Sequence, residues 1–223
     1  MTERILVVAA HPDDEALGCG GTMARHAATG DDVHVLFLAD GEGARRDAGG
    51  VDERMRVARA AADALGARAP EFLSLPDNRL DSLDLLDIVR RVEEAVDRIG
   101  PAVVYTHHRG DLNVDHRIAC QVVLTACRPL PGRGVREIYG FEVPSSTEWA
   151  APSAADAFLP HRWVDVTAQM AAKRRALECY AAEMRPFPHP RSFEAVEALA
   201  RWRGASAGLK AAEAFMTFRI VVS

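Results

Sequence analysis

The alternation of apolar and amphipathic segments places the strongest constraint on how this 223-residue chain folds. A continuous apolar run rich in β-branched residues, typical of a strand buried on both faces, occupies residues 5–10, and further strands are predicted at residues 33–39, 71–75, 102–106 and 138–143. Helical patterns lie between them, at residues 15–29, 52–65, 83–99 and 114–127. Strands that alternate with helices in this way predict an α/β domain with a parallel sheet and right-handed connections.

The last third of the chain is less regular. Prolines and small residues indicate a surface loop over residues 144–160, and a second stiff loop is expected around the prolines of residues 186–190. Further elements are expected at residues 163–166 (strand), 167–183 (helix), 192–203 (helix) and 215–222 (strand). Helix N-caps are predicted at Ser82, Thr167 and Ser192. We treat residues 1–223 as one domain whose irregular part, from about residue 144, shapes the substrate site.

The composition excludes several classes of protein. The net charge is −5, and the arginines are dispersed rather than gathered into the basic face of a nucleic-acid binder. No apolar run approaches the roughly 18 residues of a membrane span, and we expect no targeting segment, because the N-terminal residues include no basic stretch followed by a cleavable apolar one. None of the four cysteines forms a C-x-x-C pair, so we expect buried free thiols and a cytoplasmic protein.

Two clusters of histidine and carboxylate follow the first and fourth predicted strands. The first strand ends in HPDDE at residues 11–15, and the fourth ends in HHRGDLNVDH at residues 107–116. In common orders of an open parallel sheet, these two strands flank the crevice in which ligands bind. We therefore expect both clusters to face one site.

Imidazole and carboxylate ligands together suit Zn²⁺, and a catalytic zinc takes three protein ligands and one water. His11 and Asp14, three residues apart across a strand-to-helix turn, can converge on one ion, and His116 is well placed as the third ligand. Asp13 points elsewhere and is expected to move protons. An acidic helix N-terminus alone would also account for the carboxylates, but it leaves His11 at a strand tip unexplained.

A nucleotide-binding oxidoreductase is the main alternative enzyme class, suggested by Gly-Cys-Gly-Gly at residues 18–21. These glycines fall inside the first helix, whereas a dinucleotide fingerprint needs them at the strand-to-helix turn. We interpret them instead as positions where the helix packs closely on the sheet. A non-catalytic metal-binding or sugar-binding protein is a third class, although such a protein has no use for Asp13 as a proton carrier.

The motifs AHPDDE and DLNVDHR resemble those of the LmbE/PIG-L family of zinc-dependent de-N-acetylases, and ADGEG, LPDN and KRRAL also fit. The similarity extends from residue 4 to about residue 183. It implies a Rossmann-like three-layer α/β sandwich with a mostly parallel sheet, and removal of an N-acyl group, usually acetyl, from an N-acetylglucosamine-type sugar. It also implies zinc on His11, Asp14 and His116, and Asp13 as general base. Fe²⁺ is an alternative metal, since these ligand types accept both.

The resemblance further implies that Arg56 and Asp77 hold the sugar. Many family members have histidine, which helps to stabilise the oxyanion, where this chain has Asn113. Either Asn113 suffices, or His108 or His189 supplies the positive charge; Asp115 is expected to orient a ligand. An amidase for a larger acyl group remains an alternative, and the sequence leaves the substrate and the oligomeric state, including a homo-oligomer, open.

Overall fold

The computed structural model describes residues 2–41, 50–132, 134–151 and 153–222. Its strands are β1 (Arg4–Ala9), β2 (Asp32–Ala39), β3 (Glu71–Leu75), β4 (Val103–His107), β5 (Glu137–Phe141), β6 (Arg162–Asp165) and β7 (Ala212–Ile220). Its α-helices are α1 (Asp14–Ala28), α2 (Val51–Ala64), α3 (Leu85–Ile99), α4 (Val114–Ala126), α5 (Met170–Cys179) and α6 (Phe193–Ala205). None of these helices is long and apolar enough to cross a bilayer.

The strands form one sheet in the order β3-β2-β1-β4-β5-β7-β6. The first five strands are mutually parallel, and β7 runs antiparallel to both β5 and β6. This arrangement confirms the predicted α/β class with a mostly parallel sheet. The chain order reverses between β1 and β4, so the expected crevice lies at the carboxyl ends of those two strands.

Alternate side chains of β1 enter different cores, as expected for a strand covered on both faces. Ile5, Val7 and Ala9 pack with residues of α1, α2, α5 and α6, whereas Leu6 and Val8 pack with residues of α3 and α4. The cysteines are free thiols, three of them buried and Cys179 partly buried. The helices on one face, the sheet and the helices on the other face form three layers, with one apolar core on each side of the sheet.

A buried ion pair forms hydrogen bonds with the backbone groups that a break in α1 leaves free. Cys19 leaves helical geometry (φ −143°, ψ 19°), which frees backbone groups on both sides of it. The Glu213 carboxylate accepts from the backbone N–H groups of Gly21 at 2.9 Å and Thr22 at 2.7 Å. Lys173 Nζ donates to Glu213 at 2.6 Å and to the Leu17 carbonyl at 2.8 Å. The pair therefore joins α1, α5 and β7.

Two predicted caps are wrong, and one is confirmed. Ser82 lies in a short 3₁₀ turn and donates to the Arg79 carbonyl, because α3 begins later, after Asp84. Thr167 also lies in a 3₁₀ turn, ahead of α5, and that helix ends at Cys179 rather than near residue 183. The Ser192 hydroxyl accepts from the backbone of Ala195, as an N-cap does.

Gly18 of α1 confirms close helix–sheet packing and yields a prediction. A Cβ on Gly18 would lie 2.3 Å from Cδ2 of Phe141, whose ring is buried, whereas one on Gly20 would lie 3.6 Å from Lys173 Cγ. Gly18→Ala is expected to lower the free energy of unfolding by about 1–3 kcal/mol through overpacking. Gly20→Ala, the matched control, should leave it unchanged or slightly higher. Urea denaturation measures both; equal midpoints would contradict the packing argument.

Candidate metal centre

Parallel pairing of β1 with β4 brings the two polar clusters together. The register aligns Ile5 with Val103 and Val7 with Tyr105, so both strands end at the same edge. One residue beyond β1, the backbone N–H of Ala10 donates to Nε2 of His107 at 2.8 Å. This bond ties the two strand ends together directly beside the clusters.

His11, Asp14 and His116 converge at this edge. Asp14 Oδ2 lies 3.3 Å from His11 Nδ1 and 3.3 Å from His116 Nε2. All three side chains are buried, and their candidate ligand atoms lie within 4.8 Å of one another. The structure therefore brings the three residues predicted as zinc ligands into one group.

Carboxylates flank the outer nitrogens of both histidines. His11 Nε2 lies 3.0 Å from Asp115 Oδ2 and 3.1 Å from Asp77 Oδ1. His116 Nδ1 lies 3.1 Å from Asp111 Oδ1. Such partners hold a proton on the outer nitrogen and leave the inner one, His11 Nδ1 or His116 Nε2, for a metal.

Asp111 is itself held by a loop. Its carboxylate accepts hydrogen bonds from the hydroxyls of Ser146 and Thr147, both of which follow β5. Burial acts to raise the pKa of Asp111, but His116 and these hydroxyls lower it to about 2. Asp111 therefore remains a negatively charged partner for His116.

The charges within the group are strongly coupled. Burial acts to lower the pKa of His116, but Asp14 and Asp111 raise it to about 9. Burial acts to raise the pKa of Asp14, yet His116 and His107 lower it well below its usual value. Asp14 Oδ1 is buried and accepts no hydrogen bond from any described residue. Asp14 is thus a charged carboxylate between two imidazoles, and one of its oxygens accepts no hydrogen bond from the described residues. Such a donor set fits a divalent cation.

The Asp13 carboxylate is not part of the metal-ligand group but contacts two arginines. Its φ of 117° is in the left-handed region, which is strained for a residue with a side chain. Its Oδ2 accepts from Arg191 Nη1 at 2.9 Å and lies 3.8 Å from Arg54 Nη2. Burial raises the pKa of Asp13 to about 6, although Arg191 acts in the opposite direction. A carboxyl near this value can exchange protons at neutral pH.

Glu15 stabilises the turn at Asp13. Its carboxyl accepts from the Asp13 backbone N–H at 3.0 Å and from the Tyr180 hydroxyl at 2.8 Å. Burial raises the pKa of Glu15 to about 8, although the Tyr180 hydrogen bond acts to lower it. Glu15 therefore holds the turn mostly as a neutral acid at pH 7.

A cleft of about 290 Å³ opens onto the group. Its lining residues are His11, Asp13, Gly41, Arg54, Asp77, Asn78, Asn113, His116, Ser145, Ser146 and Arg191. Every lining residue except Gly41 has a polar or charged side chain. Ligand pockets are usually lined mainly by apolar side chains, so this cleft suits a hydrophilic ligand.

Of the residues predicted to contact the oxyanion, only Asn113 lines the cleft. Its Oδ1 accepts from the Asp115 backbone and caps α4, while its Nδ2 donates to Asn78 Oδ1 at 3.0 Å. His108 is buried against Phe158, with Nε2 2.7 Å from the Asp156 carbonyl oxygen.

His189 packs edge-on against Trp149, and its Nδ1 accepts from the Arg191 backbone at 3.1 Å. Neither His108 nor His189 is among the residues that line the cleft.

The structure does not bring Arg56 to the cleft. Its side chain is 68% exposed and pairs with Glu53 on the surface of α2. Residues two apart on a helix point in nearly opposite directions, and it is Arg54 that lines the cleft. Arg54 donates to the Pro12 carbonyl at 2.8 Å and pairs with Glu183. Arg54, rather than Arg56, is therefore the arginine of α2 that lines the cleft, and Asp77 lines it too.

Comparison with known proteins places these features in a family. The family model PIG-L, described as GlcNAc-PI de-N-acetylase, matches residues 6–127, more than half of the chain. This match runs from within β1 to the end of α4 and contains both motifs of the metal-ligand group.

Individual relatives agree with this match. Uncharacterized deacetylase YaiS from Escherichia coli (strain K12) is 32% identical over 147 residues, which cover 64% of this chain and 75% of the relative. The 1D-myo-inositol 2-acetamido-2-deoxy-alpha-D-glucopyranoside deacetylase of Mycolicibacterium smegmatis is 29% identical, covering 85% of this chain and 83% of the relative.

A structural neighbour has a different activity. The crystal structure of GalB, the 4-carboxy-2-hydroxymuconate hydratase from Pseudomonas putida KT2440, is 26% identical. It covers 100% of this chain and 98% of its own, with a TM-score of 0.81. Family model and relatives together show that the chain belongs to the PIG-L (LmbE-like) deacetylase family.

Proposed function

We propose that this chain is a zinc-dependent hydrolase that removes an N-acetyl group from an amino-sugar or an amino-sugar conjugate. The observation that carries the proposal is the convergence of His11 Nδ1, Asp14 and His116 Nε2 at a cleft that Asp13 also lines. These three residues would hold the ion, with Fe²⁺ as the alternative metal. When bound, such an ion polarises an acyl carbonyl and acidifies water.

The chain's own residues then divide the proton transfers. Asp13 takes a proton from the attacking water as the bond from the water oxygen to the acyl carbon forms. The carbon–nitrogen bond breaks, and Asp13 returns the proton to the departing amine, which leaves acetate and a free amino-sugar. Asp115, whose Oδ2 lies 3.0 Å from His11 Nε2, holds the orientation of that ring.

The lining of the cleft supports a short acyl group. Among the residues that the structure describes, the lining includes no large apolar side chain, so a long acyl chain would gain little from leaving water. Asp77, Asn78 and Asn113 offer carboxylate and amide groups to sugar hydroxyls. The Mycolicibacterium smegmatis relative is named for an acetamido-sugar substrate of this kind.

Hydration of a carbon–carbon double bond is the second candidate, because the hydratase GalB has a TM-score of 0.81 to this chain. Both reactions need a water and a group that moves protons. An assay of the purified protein with N-acetylglucosamine and its conjugates, read as acetate release, tests the first candidate. Loss of 4-carboxy-2-hydroxymuconate absorbance without acetate release from any N-acetyl compound would favour the hydratase.

His116→Ala is expected to abolish stoichiometric zinc binding, because it removes one of three protein ligands. Metal analysis after dialysis measures the zinc content. His161→Ala is the matched control, since His161 is exposed and does not line the cleft. Full zinc occupancy in His116→Ala would remove His116 from the ligand set.

Asp13→Asn is expected to keep its zinc and lower turnover by at least about 10²-fold, since the amide cannot accept the proton from water. Zinc content and acetate release are measured on the same preparation. Loss of metal instead of turnover would mean that Asp13, rather than Asp14, is the carboxylate ligand.

Arg54→Lys and Arg56→Lys compare two arginines on opposite sides of α2. Lysine cannot reproduce the two-pronged contact of Arg54 with Glu183 and the Pro12 carbonyl. We expect Arg54→Lys to lower kcat/KM by about tenfold or more, through the Asp13 turn. Arg56→Lys should match the wild-type protein, and the reverse order would restore Arg56 as the substrate residue.

A further inference from the structure

Asn113 leaves a question of charge at the proposed site. An acyl oxygen becomes negative during hydrolysis, and preorganised donors for this charge are often the largest single contribution to catalysis. Asn113 can donate a hydrogen bond but is neutral. One of its two Nδ2–H bonds is already used by Asn78 Oδ1, at 3.0 Å.

His108 and His189, the two histidines suggested as substitutes, make their contacts outside the cleft. His108 Nε2 lies 2.7 Å from a backbone carbonyl oxygen outside the cleft. His189 Nδ1 accepts from the Arg191 backbone and so fixes the residue after Pro190 rather than reaching the cleft. Neither histidine lines the cleft, so a charged side-chain donor to the acyl oxygen would come from another residue.

Arg191 meets this requirement. It lines the same cleft as His11, Asp13 and His116, and its side chain is 20% exposed. Nε donates to Ser145 Oγ at 2.8 Å and Nη1 donates to Asp13 Oδ2 at 2.9 Å, which fixes the plane of the guanidinium. In the described part of the chain, no residue accepts a hydrogen bond from its Nη2.

We propose that Arg191 is a catalytic residue whose guanidinium donates a hydrogen bond to the acyl oxygen as negative charge develops there. This inference rests on the proposed hydrolysis of an N-acetyl group. During that step Asp13 gains a proton and becomes neutral, while the acyl oxygen becomes negatively charged. A cation that already contacts Asp13 can stabilise both arrangements with little movement, which is the preorganisation that such catalysis requires.

Arg54 is a weaker candidate for the same task. It also lines the cleft, but Nη1 pairs with Glu183 and Nη2 donates to the Pro12 carbonyl at 2.8 Å. Its charge is thus matched by a buried carboxylate that does not take part in the reaction. Arg54 is a positioning residue for the turn that carries Asp13.

Binding of acetate, the product common to every N-acetyl substrate, tests Arg191 without depending on turnover. Isothermal titration calorimetry of the zinc-loaded protein should show that Arg191→Met weakens acetate binding by about 10- to 100-fold, the value of a charge-assisted hydrogen bond. Arg191→Lys, which keeps the charge, should recover part of this loss. Arg201→Met is the matched control, because Arg201 is 75% exposed on α6. Zinc content and melting temperature verify that each variant is loaded and folded.

The comparison is repeated in Asp13→Asn, where Arg191 has no carboxylate to hold. Arg191→Met should still weaken acetate binding there by about tenfold or more. In the protein with Asp13 intact, it should lower kcat by about 10²- to 10³-fold with little change in KM.

Equal acetate binding with and without Arg191 in the Asp13→Asn background would overturn the inference, because Arg191 would then act only through Asp13. That result would leave the proposed function intact if the wild-type protein releases acetate. If the wild-type protein neither releases nor binds acetate, the proposed function fails, and the role of Arg191 fails with it.

Discussion

The parallel pairing of β1 with β4 is the constraint on which the site depends. Neither strand tip is a metal centre alone, since one offers His11 and Asp14 and the other leads to His116. Pairing sets the relative position of these tips, and the bond from Ala10 N–H to His107 Nε2 extends it by one residue. Burying these charged groups close together costs free energy, and the packing of the apolar core, which holds the two strands in place, offsets that cost.

Each charged group near the centre has an identified partner, which explains how so many can be buried. Asp111 faces His116, Asp115 faces His11, and Asp13 faces Arg191. Burial of a charge without such a partner is strongly unfavourable. Glu15 follows a different course, because its pKa of about 8 leaves it mostly neutral at pH 7 while it holds the Asp13 turn.

The α/β class, the meeting of the first and fourth strand ends and the close packing of Gly18 were predictable because each depends on local periodicity or on motifs at strand ends. Arg191 was not, because it reaches Asp13 across 178 residues of sequence from an irregular loop. The choice between Arg54 and Arg56 depends on the rotation of α2, which a resemblance between short motifs does not define. Asp111 lies within the second motif, but its role depends on Ser146 and Thr147, which follow another strand.

The contacts of Ser146 and Thr147 with Asp111 link the loop after β5 to His116. Ser145 in the same loop contacts Arg191, and the loop lines the cleft. The loop that lines the cleft is thus connected, through Asp111, to the imidazole of His116. Exchanging this loop for one of different shape would alter ligand selection and the orientation of His116 together, so the two properties are not separate modules in this protein.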